Sequence, residues 1–309
     1  RRLSIQRVAY DTLGVDDLKF ELDRTEKGAK VLLTINPDSS DNFYRIGANL
    51  VADSIALKNG FTFQFADTMV LNGKQWYYGD SCAINSDVEG ITFREFKLYR
   101  DEKVIQLEKD QSDSPLNIIA RNFPMHALTG MLNTEEKVFN GIINGQVSLN
   151  NDGSFEGEGD ITTFQIFGAD FGTLSWKASN ENNNFKTFIS TTGDHIDLVL
   201  DGNIIPQNDS LSALDLDIKL NRFDIQLLEK LVANNIDKAS GILSGDIAIE
   251  GTTASPHLSG FLRFKDALIR PTDLNAGYAM KDEQIEITPT GLKFNKFSIT
   301  DKNGSNLSI

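Results

Sequence analysis

Little in this sequence offers reactive chemistry. Cys82 is the only cysteine, which excludes an internal disulfide framework and a cysteine-based metal site. The three histidines, His126, His195 and His257, lie far apart with no cysteine or carboxylate at metal-binding spacing, so surface or packing roles are expected of them. No nucleophile elbow, Walker loop or dinucleotide-binding glycine fingerprint is present, and Gly157-Glu158-Gly159 is only a two-glycine fragment in a β region. Asn150-Asn151-Asp152-Gly153 and Asp301-Lys302-Asn303-Gly304 begin like calcium loops. Neither has the terminal glutamate at the required spacing, and plain turns are expected. Catalytic residues, metal sites and cofactors are therefore all expected to be none. Basic charge is scarce too: 30 Lys and Arg stand against 44 Asp and Glu, a formal net charge of −14. With no concentrated basic patch, nucleic acid is not an expected partner. No hydrophobic run is long enough to span a bilayer as a helix, and no signal peptide pattern opens the chain.

What the sequence does have is alternation. Twenty phenylalanines against 2 tryptophans and 7 prolines suit sheets with generous apolar faces. Leu18, Phe20 and Leu22, then Val31, Leu33 and Ile35, recur at period two, as do Phe61, Phe63 and Phe65. That period marks strands with one apolar and one polar side. Turn chemistry separates them at residues 36–40, at Asn59-Gly60, at Asn72-Gly73 and at Asp201-Gly202. Ile91 and Phe93 change parity with Phe96 and Leu98, which predicts a bulge or bend between them.

The stretch 241–264 shows the pattern best. Gly241 and Gly245 open a strand in which Ile247 and Ile249 alternate with Asp246, Ala248 and Glu250; after a turn, Leu258, Gly260, Leu262 and Phe264 share one parity. The same phrase occurs earlier with Gly145, Val147 and Leu149, at an offset of 241 − 141 = 100 residues. Upstream, Phe123, Met125 and Leu128 precede Phe223, Ile225 and Leu228 by the same interval. Downstream, residues 155–157 match 258–260 with three residues fewer in the turn. Each unit reads as strand, short helix, hairpin and further strands, an architecture extended by repetition. Helical spacing places the two short helices near residues 125–132 and 225–232. The predicted organisation is an N-terminal β segment at 1–110, a first β repeat at 111–210 and a second at 211–309, forming one continuous sheet.

The succession at 214–231, 241–264 and 297–309 resembles the TamB family, within the wider group of AsmA-like proteins. It carries a short L-x-x-L helix, a G-x-x-x-G hairpin start, a P-x-h-x-G return strand and a turn, Asp301-Lys302-Asn303-Gly304-Ser305-Asn306, that departs slightly from the family's D-x-x-G-N form. The resemblance implies a mainly β fold: an elongated, curled, taco-like sheet with an apolar concave face. It further implies a periplasmic protein of the cell envelope, anchored in the inner membrane by an N-terminal helix that this stretch lacks. On that reading the chain begins, at Arg1, and ends, at Ile309, inside something longer. The implied partners are phospholipid acyl chains and an outer-membrane barrel protein of the TamA or BamA type. The implied role is phospholipid movement between membranes in support of outer-membrane biogenesis. The groove residues this predicts are Phe61, Phe63 and Phe65; Val147 and Leu149; Leu216 and Ile218; Ile247 and Ile249; and Leu258, Leu262 and Phe264. Two other roles stay open: a chaperone-like scaffold for inserting outer-membrane β-barrel proteins, offering strand edges, and a glycan-binding β-sandwich using Trp76, Tyr77 and Tyr78. Alternation alone leaves an open groove and a closed core equally possible.

Overall fold

The computed structural model describes residues 2–10, 13–26, 28–36, 43–53, 60–65, 68–129, 138–208, 210–274, 276–301 and 304–308. The turn at 37–40, Asn59, Met131-Leu132 and Lys302-Asn303 lie outside the described residues. The protein is mainly β, with two short helices and antiparallel pairing throughout. Its chain divides into two compact units, residues 1–159 and 160–309.

The first unit opens with β1 (Arg2–Tyr10), β2 (Leu13–Thr25), β3 (Gly28–Ile35) and β4 (Tyr44–Asp53), each paired with the next. Short strands follow: β5 (Gly60–Gln64), β6 (Thr68–Leu71), β7 (Lys74–Tyr78) and β8 (Ala83–Asp87). Here β4 pairs with both β5 and β6, and β9 (Gly90–Arg100) collects both β7 and β8. The order then simplifies through β10 (Lys103–Lys109), β11 (Leu116–Pro124) and β12 (Phe139–Leu149) to β13 (Phe155–Ile166), in which the unit boundary falls. Helix α1 (His126–Thr129) sits in the β11–β12 connection. Asn72 and Gly73 both take positive φ, 50° and 69°, which gives β6–β7 the tight turn that Asn-Gly predicts. The parity change in β9 is a bulge: Glu95 adopts φ 46° and the β9–β10 register shifts between Leu107 and Lys109.

The second unit is a succession of longer hairpins: β14 (Ala169–Glu181), β15 (Asn184–Thr192), β16 (Ile196–Asn208), β17 (Leu211–Asp224), β18 (Ile236–Thr252), β19 (Ser255–Pro271) and β20 (Tyr278–Thr288). Short strands β21 (Gly291–Phe294), β22 (Ser298–Asp301) and β23 (Asn306–Ser308) complete it. A 3-10 turn (Ile225–Leu227) runs into helix α2 (Leu228–Leu231) between β17 and β18. This is shorter than the ten residues of helical spacing at 224–233, because Val232 already leaves the helical region at φ −133°. Asp201-Gly202 is a correction. It is no turn, but lies inside β16 with Gly202 at φ 153° facing Leu216; the strand passes over a position without a side chain, where a Cβ would fall 2.1 Å from the Asp215 carbonyl oxygen.

The repeat is present in the pairing itself. In β11–β12 the partners are Leu116↔Leu149, Ile118↔Val147, Ala120↔Gly145 and, after a shift, Phe123↔Ile143. In β17–β18 they are Leu216↔Ile249, Ile218↔Ile247, Leu220↔Gly245 and, after the same shift, Phe223↔Leu243. Every partner is displaced by 100 residues, bulge included. In both units a short helix then follows, and it lies over the apolar side near the bulge. Ala127 of α1 joins Trp76, Phe123, Tyr44 and Leu98 in one buried cluster. Ile225 joins Ala239, Ala267, Met280 and Phe297 in another, while Leu227 packs with Ala169 and Ile196.

Candidate functional site

In an antiparallel pair, directly opposed residues point to the same side, so the registers define a face. In the second unit, Trp176 of β14 opposes Ile189 of β15, which opposes Leu200 of β16, then Ile218, Ile247, Gly260, Ile287 and Leu292. A parallel row runs Gly202, Leu216, Ile249 and Leu258, and another Leu220, Gly245, Leu262 and Ile285. Phe264 opposes Leu243 on the same side. All seven predicted groove residues of this unit, Leu216, Ile218, Ile247, Ile249, Leu258, Leu262 and Phe264, thus share one apolar face.

The opposite side carries the charge, with Phe188, Val199 and Phe261 among it. Lys177, Asp201, Asp215, Asp217, Lys219, Asp246 and Glu250 occupy the alternate positions of the same strands. Lys219 opposes Asp246, a favourable pair, but Asp201 opposes Asp217 and Asp215 opposes Glu250. Like charges in register are tolerated only on a side that faces water.

Burial separates two regions of the apolar face. Where the 3-10 turn and α2 cover it, Ile225 is 1% exposed and Leu227 7%. Away from that cover no large apolar side chain of the rows is fully buried: Leu216, Ile218, Ile247 and Ile249 are half-buried, and Leu258 is 39% exposed. A closed sandwich would bury central strand residues completely, because the second sheet packs about 10 Å away with interlocking side chains. The face is open over its central and turn-proximal rows. Burying one such aliphatic side chain fully is worth about 1.5–3 kcal/mol, so covering the rows with apolar matter would be favourable.

The first unit repeats the arrangement less evenly. Leu50, Phe63, Ile84 and Phe93 oppose in sequence, as do Phe96, Leu107, Ile118 and Val147. Val147 and Phe63 are half-buried, Leu149 is 38% exposed and Phe61 is 50% exposed. Phe65 lies just beyond β5, its N–H donating to the Cys82 carbonyl, and its ring packs 5.0 Å from Tyr78 and 5.3 Å from Phe96. It belongs to the covered core rather than the open rows.

Trp76, Tyr77 and Tyr78 form no platform for a sugar. Strand alternation sends Trp76 and Tyr78 into the core at 1% and 6% exposure, and leaves Tyr77 on the other side against Tyr99. Burial pushes the Tyr44 hydroxyl up to about 12 and the Cys82 thiol up to about 11. Burial also raises Tyr78, with the neighbouring Cys82 thiolate adding to it.

The polar candidates are structural. Asp152 accepts from the Ser154 hydroxyl at 2.6 Å and its N–H at 2.9 Å, which holds the Asp152 carboxyl below its usual range and closes a plain turn. Asp301 likewise accepts from the Ser305 N–H at 2.8 Å. His195 meets Asp224 at 2.8 Å, with Arg222 on the other carboxylate oxygen at 2.8 Å. That group ties the β15–β16 turn to the start of the helical cover. Among the described residues no group of three or more His, Cys, Asp or Glu could hold a metal ion.

Several members of the face escaped residue-by-residue prediction. Trp176, Ile189, Leu200, Ile285 and Ile287 were legible as strand residues, but only the register puts them opposite Ile218, Ile247 and Leu262. Compared with known proteins, the chain matches no family model, no curated protein and no solved structure.

Proposed function

We propose that this chain is the periplasmic part of a TamB-like envelope protein that carries phospholipid along an apolar face between the inner and outer membranes. The observation that carries the reading is the row from Trp176 to Leu292, continuous in register across eight strands and apolar at every position but the bare Gly260, with charge behind it and its central members half-exposed. Transfer of acyl chain from water to such a surface yields about 0.8 kcal/mol per methylene. On β17 to β20 the rows offer no polar side chain that would fix a lipid at one place, and Thr187 and Thr191 are uncharged members further along, so the chain can slide from strand to strand. That property suits a conduit better than a high-affinity carrier. An outer-membrane barrel protein at one end and an inner-membrane anchor at the other complete the proposal.

A photo-crosslinking side chain at position 249 tests it directly in the envelope. Lipid should be captured from Ile249 and not from Asp246, which lies on the opposite side of the same strand. Equal capture at both positions, or none at either, rejects the conduit.

A further inference from the structure

We infer that a lipid on the second unit's apolar face lies along the strands, tail ends toward the helical cover and headgroup at the opposite rim of turns, and that this headgroup carries no net charge. The inference rests on the lipid reading above and assigns its orientation and class.

Consider depth first. On β17 the open apolar side runs from Leu214 to Leu220. At about 3.4 Å per residue that is roughly 20 Å. One bilayer leaflet contributes about 15 Å of hydrocarbon, half of a core about 30 Å thick. The face is thus about as deep as one acyl chain is long. At one end the chain meets a stop, because Ile225 and Leu227 are buried there against Phe264, Leu243, Phe223 and Leu198.

The other end is the rim formed by the turns β14–β15, β16–β17, β18–β19 and β20–β21. Its tips carry mainly Asn, Ser and Thr, with the carboxylates of Glu181 and Asp209 in the sequence of two of them, and no Lys or Arg occurs in 180–185, 204–214, 251–256 or 288–292; the nearest cations, Lys186 and Lys293, alternate onto the opposite side of their strands. Cations do stand at the helical end: Arg222 is engaged with Asp224, Arg270 with Asp237, and Lys230 with the Gly168 carbonyl at 2.7 Å, while Lys238 and Lys281 are exposed there, past Leu243 and Phe264 along their ladders. A phosphate at the rim finds amide and hydroxyl donors but no positive charge. A zwitterionic headgroup brings its own ammonium and needs none from the protein. An anionic one would sit unpaired on a chain of net charge −14.

The test uses vesicles of equal parts phosphatidylethanolamine and phosphatidylglycerol with identical tails. Lipid recovered on the chain should be enriched in phosphatidylethanolamine. Thr253→Lys with Thr290→Lys, two exposed rim positions, should shift the ratio toward phosphatidylglycerol by about threefold, the effect of one exposed ion pair. Orientation is read with a fluorophore on Ser212→Cys at the rim or Leu220→Cys near the cover, each in a Cys82→Ser background whose melting is checked first. A nitroxide on the headgroup should quench position 212 more, and a nitroxide at the tail end should quench position 220 more. Bound lipid with equal or reversed quenching, or a ratio that the lysines do not move, overturns the inference while the conduit stands. No bound lipid of either kind overturns both.

Discussion

Ile225 and Ile249 are the same residue type, one in the helical cover and one on the sheet face, and their surroundings differ. Ile225, pointing from the 3-10 turn into the cluster under the cover, is 1% exposed, whereas Ile249 is half-buried on the open rows. Truncating the first removes packed methyl groups and leaves a cavity. Ile225→Ala should therefore cost about 2–5 kcal/mol in a denaturant melt. Ile249→Arg should cost only about 1–2 kcal/mol, because the arginine stem can lie on the face while its guanidinium reaches water. A melt in which Ile249→Arg unfolds the chain would mean that position 249 is ordinary core.

Tyr44, Tyr78 and Cys82 supply a second residue-scale expectation. All three are held in their neutral forms by burial, with folded values above the ordinary 10.0 and 9.0. A raised value means that the folded state holds its proton more tightly than the unfolded one. The stabilisation is complete below the unfolded values, and it is lost as pH rises through the folded ones. Melting temperature should hold up to about pH 9 and fall between there and about pH 12. The Cys82 thiol should resist labelling until the same transition, and labelling of the folded chain at neutral pH would contradict its burial.

At the scale of elements, the shared register makes a sharp claim. Ile118→Cys with Val147→Cys, and Ile218→Cys with Ile247→Cys, each place two thiols at directly opposed positions, within the Cα range a disulfide tolerates. Both pairs should oxidise to similar extents in a Cys82→Ser background. Ile218→Cys with Ala248→Cys should not, since a slip of one residue turns a side chain to the other side of the sheet. Cross-linking of the slipped pair would mean the strands move past one another.

These elements also show what was legible beforehand. Alternation marked the strands around Ile247 and Leu262, and the 100-residue offset marked the two stretches as equivalent; the shared ladder register is what the structure adds. The bulge at Glu95 was visible as a change of parity. Asp201-Gly202 misled because a turn dipeptide and a strand glycine under a neighbour's backbone look alike in one dimension. Trp76 and Tyr78 were separable from Tyr77 by period two alone. Open and covered regions could not be told apart in advance: the same leucines and isoleucines serve both, and what decides is where a seven-residue helical segment comes to rest.

At the scale of the whole molecule, the pairing list has a kinetic consequence. From β9 to β12, and again from β14 to β20, each strand is bonded to the one made just before it. Such contacts close short loops, and short loops are reached quickly. Over these two runs the chain never has to wait for a distant partner, unlike the stretch where β4 pairs with β6, β5 with β8 and β7 with β9. Each new hairpin finds its template already formed, so the protein can be completed from one end like a fabric leaving a loom, row upon finished row.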